Sequence, residues 1–446
     1  MPDLRTTRVT VRLSAPICVA LLAGACVLIA SVGQCRTADL VAAESPPEAS
    51  QQQTSQKLSR WQQLDLALSD LAPESQQARQ LVPELITAAR HPETPNILRQ
   101  RSILMLGRIG KPAQAAIPVL LELLDEYRQA ESQEPAPSPS AVAVTAKQAI
   151  ERRVWLLDSL GEFDAAANEA VPVLRRDLFD RSRSVDDRVH IADVLGQIGT
   201  VSAVTCLADA LREWPAGTPP AEQLVKHTIV DCIGLSGPAG VAGLPALLRS
   251  IEDPDSSMRR KVCEAITLFG PAGELATDAL IERLILDEVP AVQDAAADTL
   301  AAIGPASVPV LIRLLESGEP DLQWRVARSL GKIGPSAAAA RVALENVITA
   351  STPVANADPV AQHARIEAFD AHWKITRDTS GVFRRLPDEL ASENRQVRRR
   401  ASELLIAPAT LPDDLLQRMK ELAAGQSTGA RSAEYVLRRR QASDSR

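Results

Sequence analysis

The chain has 446 residues, enough for several globular domains, and a formal net charge of −7, which weighs against a general polyanion binder. Hydrophobic residues make up 45% of it but aromatic residues only 3%, so its core has to be built from Leu, Ala, Ile and Val. Such side chains suit closely approaching helices and disfavour sheets, which draw on aromatic and β-branched residues. The chain opens on Arg5, Arg8 and Arg12, then an uncharged stretch over residues 13–33, then Arg36 and Asp39. A basic start before an apolar run marks an export signal, and this run is also long enough to anchor in a bilayer. Residues 1–43 are therefore read as a signal peptide or signal-anchor, and both alternatives stay open. An uncleaved leader holds the repeats at the inner membrane, outside the cytoplasm; cleavage near Val41-Ala42-Ala43 releases a periplasmic or secreted protein. Residues 44–57, with Pro46-Pro47 and Gln51-Gln52-Gln53, are a polar tether with too little apolar content to fold alone.

Beyond the tether one phrase recurs. Leu330-Gly331-Lys332-Ile333-Gly334-Pro335 is its clearest copy, matched by Leu106-Gly107-Arg108-Ile109-Gly110, Leu195-Gly196-Gln197-Ile198-Gly199 and Leu300-Ala301-Ala302-Ile303-Gly304-Pro305. Taking the last Gly of the phrase as a corner, corners fall at Gly110, Gly199, Gly237, Gly270, Gly304 and Gly334, with Asp164, Thr376 and Ala407 standing in for glycine elsewhere. From Asp164 onward the steps are 35, 38, 33, 34, 30, 42 and 31 residues, the period of stacked helix pairs. In one unit Leu322, Val326, Leu330 and Ile333 line one face of a first helix, Gly334-Pro335 stops it, and Val342, Leu344, Val347 and Ile348 line a second. Pro118, Pro172 and Pro245 each stand eight residues after a corner and mark the first turn of a second helix, where a missing N–H costs little. Val308-Pro309 and Val82-Pro83 repeat that phrase at less regular offsets.

On these phrases the chain resembles HEAT-like (armadillo-type) helical-repeat proteins, including exported bacterial HEAT repeat domain-containing proteins and the HEAT-like repeats of bilin lyases. The resemblance implies an all-α fold, a right-handed α-α superhelical solenoid of about ten helix pairs over residues 58–424. It also implies a capping helix and basic tail over 425–446, and a Pro/Ser insertion, 129–142, interrupts the stack. The same architecture serves scaffolds, adaptors, enzymes and nucleic-acid binders, so the resemblance specifies the fold far better than the function.

Charge is unevenly placed: residues 44–383 hold 32 basic against 45 acidic side chains, net −13, whereas 384–446 hold 13 against 9, net +4. A solvated cap on the terminal repeat accounts for the basic end, and attraction to an anionic surface or acidic partner is the alternative. Chemistry-bearing motifs are sparse. Gly234-Leu235-Ser236-Gly237 lacks the spacing of a phosphate loop or serine elbow, and no His-x-x-x-His or Cys-x-x-Cys is present. The expectation is accordingly no catalytic residue, no cofactor and no metal site. Cys206, Cys232 and Cys263 are read as small core residues, being odd in number and unsuitably spaced for a disulfide framework. Arg101, His190, Lys261, Arg325 and Arg398 share the position nine residues before a corner, where they would form a ladder with acids of neighbouring repeats such as Asp294 or Asp321, or else a binding stripe. Trp214, beside Pro215, is a candidate exposed anchor, with burial against the next helix as the alternative. Trp214, Arg101, Lys261, Arg325 and Arg398 are thus the candidate interaction residues. The expected function is a non-enzymatic protein-interaction scaffold outside the cytoplasm, with a protein partner, membrane contact through an uncleaved leader and no nucleic acid. A bilin-lyase-like protein or an accessory to an envelope enzyme is the alternative.

Overall fold

The computed structural model describes residues 59–132, 151–214, 219–349, 358–408 and 410–444. The leader 1–43, the tether 44–57 and most of the insertion 129–142 lie outside them. The described residues fall in one compact unit, Leu58–Arg446, and contain no strand. Their helices come in pairs: α1 (Arg60–Ser69) with α2 (Gln76–Arg90), α3 (Asn96–Ile109) with α4 (Ile117–Ser132), α5 (151–161) with α6 (Val171–Phe179), and α7 (Val185–Ile198) with α8 (Val201–Glu213). There follow α9 (Pro220–Leu235) with α10 (Leu244–Ser250), α11 (Ser256–Thr267) with α12 (Thr277–Leu286), α13 (Pro290–Ile303) with α14 (Val308–Glu316), and α15 (Pro320–Ile333) with α16 (Arg341–Thr349). In the next pair α17 (Pro359–Thr376) is followed by a 3₁₀ segment, Gly381–Ala391, in place of a second helix; α18 (Arg395–Ile406) with α19 (Asp413–Ala423) and a last helix, α20 (Thr428–Asp444), complete the chain. First helices lie side by side from α7 through α9, α11, α13 and α15 to α17, and second helices make the other layer, as in α6 on α8 and α14 on α16. This is an all-α solenoid.

Each half of the recurring phrase has its own physical cause. The leucine or isoleucine four residues before the corner faces the interior in seven successive pairs, where Leu106, Leu160, Leu195, Ile233, Ile266, Leu300 and Leu330 are wholly buried. The corner residue takes a left-handed backbone, φ +65° at Gly110 and +69° at Gly334, which a Cβ disfavours. Asp164 adopts it as well, at φ 49°. Two stand-ins are displaced: the left-handed residue after α17 is Arg377, at φ 57°, rather than Thr376, and Ala407 is right-handed at φ −61°. Pro118, Pro172, Pro245 and Pro309 sit in the second position of their helices, but Pro83 lies inside α2 rather than at its start.

The first glycine of the phrase has a separate role, which is close approach of neighbouring first helices. A Cβ on Gly107 would stand 2.7 Å from the Ser159 Cα, and one on Gly234 would stand 2.9 Å from the Ala265 Cα. Hydroxyls tie the same seam: Ser159 Oγ donates to the Ile103 carbonyl at 2.8 Å, Thr299 Oγ1 to that of Cys263 at 2.9 Å and Ser329 Oγ to that of Ala297 at 2.8 Å. Gly234→Ala would gain about 1 kcal/mol of helix propensity in isolation. Against a backbone atom that cannot swing away, a larger side chain loses more than that. Gly234→Val is expected to destabilise by roughly 1–3 kcal/mol, read as a lower urea midpoint.

Residues Pro290–Glu316 have the length and mean hydropathy, 1.5, of a membrane span, yet they are α13 and α14 broken at Gly304, and half of that window is buried in the stack.

Candidate functional site

The strongest polar order in the molecule is a buried row eleven residues before the corners. Arg99 Nη2 donates to the carbonyls of His91 at 2.8 Å and Pro92 at 3.2 Å, at the end of α2. Arg153 pairs with Asp187, Arg188 holds both carboxylate oxygens of Glu222, and Lys226 Nζ meets Asp253 Oδ2 at 2.7 Å. Arg259 grips Asp287 through Nε at 2.7 Å and Nη2 at 2.8 Å, and also donates to the Asp253 carbonyl at 2.8 Å. Where the row turns neutral, Gln293 Nε2 donates to the Asp287 carbonyl at 2.8 Å and Gln323 Nε2 to that of Leu315 at 3.0 Å. Arg365 closes the series on Glu389 at 3.0 Å. Each rung fixes the entry of a first helix against a neighbouring chain reversal. Burial pushes the Asp287 carboxyl up, but the hydrogen bonds and charge of Arg259 outweigh it and hold that carboxyl below the usual carboxylate range. At Glu389 and at Asp177, beside Arg183, burial prevails and raises the carboxyl.

A second, outer ladder contains the sequence-predicted cations. His190 Nε2 lies 2.9 Å from Asp158 Oδ1, Lys261 Nζ 2.5 Å from Asp231 Oδ2 and Arg325 Nε 2.8 Å from Asp294 Oδ1, with Arg325 Nη1 also 2.7 Å from Asp321 Oδ2. Arg101 pairs with Asp65 in the preceding pair. These are ladder rungs between neighbouring repeats and not a free basic stripe. Arg398 departs from them: it donates to the carbonyls of Ser392 at 2.6 Å and Glu393 at 2.7 Å, the work of the buried row, because Ala407 is not a true corner. Arg325 is itself buried, whereas the Arg101, His190 and Lys261 pairs are solvent-accessible and contribute little each, about 0–1 kcal/mol.

Trp214 is not an exposed anchor. It is buried, its Nε1 donates to Glu222 Oε2 at 3.0 Å, and the guanidinium groups of Arg181 and Arg188 stand 5.5 and 5.7 Å from its ring centre. Its indole N–H completes the Arg188–Glu222 rung and so fixes the break between α8 and α9. Cys206, Cys232 and Cys263 are free and buried, and burial pushes the thiols of Cys206 and Cys263 up to about 11 and about 12. At pH 8 these thiols are protonated, so alkylation mapped by peptide mass is expected to spare them until denaturant is added. Among the described residues no three His, Cys, Asp or Glu side chains come together as metal ligands would. A groove of about 230 Å³ between α3, α5 and α7 is lined by Leu104, Arg108, Asp158, Ser159, Glu162 and Gln197, of mixed charge.

At the basic end most arginines are engaged. Arg384 meets Asp414 at 3.1 Å, Arg418 meets Asp388 at 2.6 Å, and Arg440 donates to the carbonyls of Leu405 and Pro408 at 3.0 and 2.8 Å. Among the described residues Arg385, Arg395, Arg431 and Arg439 remain exposed and outside any ion pair. Large apolar side chains are also left in solvent, chiefly on the edges of the stack: Ile97, Leu235, Leu268, Leu275, Leu286 and Val342 are all more than half exposed.

Residues 220–301 and 277–357 match the HEAT repeats family. The chain carries HEAT repeats over this stretch. A similar protein is the deoxyhypusine hydroxylase of Danio rerio, 25% identical over a 223-residue alignment that covers 46% of this chain and 65% of that one. The HEAT-repeat chain thus spans less than two thirds of that relative. Among solved structures, importin beta is similar at 14% identity and a TM-score of 0.40, over 85% of this chain and 55% of importin beta. A structure of the Pds5–Scc1 complex is similar at 12% identity and a TM-score of 0.31, over 84% of this chain and 63% of that one.

Proposed function

We propose that this HEAT-repeat chain is a non-enzymatic scaffold that binds a protein partner along its repeats, held outside the cytoplasm by the leader at residues 1–43 or released there by its cleavage. The observation that carries the reading is the set of large apolar side chains left in solvent on a surface whose charged ladders are otherwise satisfied internally. Exposed apolar groups that cluster, unlike scattered ones, mark places where another molecule sits. Fractionation followed by pulldown from membrane and soluble extracts tests it: a partner that is lost when the repeats are deleted is the expected result, and recovery of no repeat-dependent partner would sink the reading.

The similarity to a deoxyhypusine hydroxylase favours a second, enzymatic reading. Incubating the full chain with a deoxyhypusine-containing peptide tests it directly, since hydroxylation adds one oxygen atom to the peptide mass and a pure scaffold leaves the mass unchanged.

A further inference from the structure

The residue two before the corner is polar in several pairs, as in Arg108, Glu162, Gln197 and Lys332. In two successive pairs it is leucine instead. Leu235 is 71% exposed and Leu268 56%, and Leu275, in the corner after α11, is 82% exposed. The two helices are drawn together where Gly234 meets Ala265, so Leu235, the last residue of α9, and Leu268, the C-cap of α11, stand at the ends of adjacent, closely packed helices. The corner segment that carries Leu275 is held against the end of α11 from within, buried Gly273 packing on buried Ile266.

The charge around this row is mainly negative, and it is uncompensated at the two acids beside Leu275. Nearby cations are already committed, Lys261 to Asp231 at 2.5 Å and Lys332 to Asp298 at 2.6 Å. Glu264, one turn before Leu268, has as its ion-pair partner Arg260 of its own helix, at 3.5 Å. Glu274 and Asp278 flank Leu275, are exposed, and among the described residues have no cation within 4.0 Å. Resting on the scaffold reading, we propose that Leu235, Leu268 and Leu275 form the docking surface for an amphipathic segment of a partner protein, with leucine-like residues along one face and Lys or Arg on its flanks. Burying the three leucines supplies the attraction. Cations on the flanks neutralise Glu264, Glu274 and Asp278, and an acidic segment of the same shape is repelled by them. Pro238 and Pro271 hold the corners in place, so little order is lost on this side of the contact.

Photo-cross-linking tests the surface in the full chain, in the cells that make it. Benzoylphenylalanine replaces Leu268 or Leu275, and in separate chains replaces the exposed Ile97 or Val342 away from the row, with cross-linked peptides sequenced by mass spectrometry. The expected result is a partner segment of alternating basic and apolar residues captured from Leu268 and Leu275. Adding Glu264→Lys with Glu274→Lys is expected to lower that yield about tenfold with helicity and thermal midpoint unchanged. A partner captured only from Ile97 or Val342 overturns the docking surface and leaves the scaffold standing. No partner from any position overturns both. Capture of an acidic segment, of a second copy of the chain or of the chain's own basic leader overturns the proposed partner chemistry.

Discussion

Arg259→Met is expected to destabilise the repeats by about 3–5 kcal/mol, because it strands the carboxylate of Asp287, whose side chain has no exposure to solvent. Arg283, at 3.8 Å, is too distant to replace a guanidinium that grips Asp287 at 2.7 and 2.8 Å. The pH dependence follows from the lowered folded pKa of Asp287. A carboxyl held below its unfolded value stabilises the fold fully above the usual carboxylate range, and that stabilisation is lost as pH falls through the folded value. In the variant the stranded carboxyl is pushed the other way by burial and is relieved by protonation. The gap between the two proteins, measured by urea denaturation, should therefore be widest near neutral pH and shrink below about pH 4. Adding Asp287→Leu to Arg259→Met should restore more than half of the loss, since a buried pair replaced by apolar groups is far less costly than a buried half-pair. An undiminished loss in the double variant would place the worth of Arg259 in its bonds to the Asp253 and Pro254 carbonyls instead.

The parts of this molecule that the sequence spells out are those in which one position demands one kind of residue. A left-handed corner wants glycine and a first helical turn tolerates proline, so the period and the helix pairs are visible in the phrases around Gly110, Gly199 and Gly334. Thr376 and Ala407 mislead because they carry no such demand, and the corner after α17 passes to Arg377. The cations nine residues before the corners were legible as ladder rungs, and the Arg325–Asp294 pair forms as that spacing predicts. The stronger row, two residues further back, was not, although Arg99, Arg153, Arg188, Lys226 and Arg259 line up once the corners are used as the ruler. Trp214 reads either as a surface anchor or as a residue buried against the next helix until the partner of its N–H is known, and that partner, Glu222, belongs to α9. Leu235 and Leu268 are harder still, since an exposed leucine in a Leu- and Ala-rich helix carries no mark distinguishing it from the buried ones beside it.

Phe383→Ala should produce the largest localised change. Here α17 runs for 18 residues, yet its second helix is replaced by the 3₁₀ segment Gly381–Ala391, whose tighter turn and poorer hydrogen bonds cannot present the continuous apolar face that second helices offer elsewhere. Large aromatics make up the difference: Phe369 and Phe383, two of the five phenylalanines in the chain, are both buried at this one pair. Removing the Phe383 ring leaves a cavity that a 3₁₀ segment with Pro387 inside it is poorly able to collapse around, at a cost of about 3–5 kcal/mol. In a solenoid each repeat touches only its neighbours, so that cost is not shared across the whole stack. Hydrogen exchange should lose protection in α17 to α20 while α7 to α13 keep theirs, and the C-terminal helices should melt as a separate, earlier step. A uniform loss of protection along the stack would mean instead that the ion-pair row from Arg99 to Arg365 couples the repeats into a single cooperative unit, and then Arg259→Met, more than one hundred residues away, should also strip protection from α18 and α20.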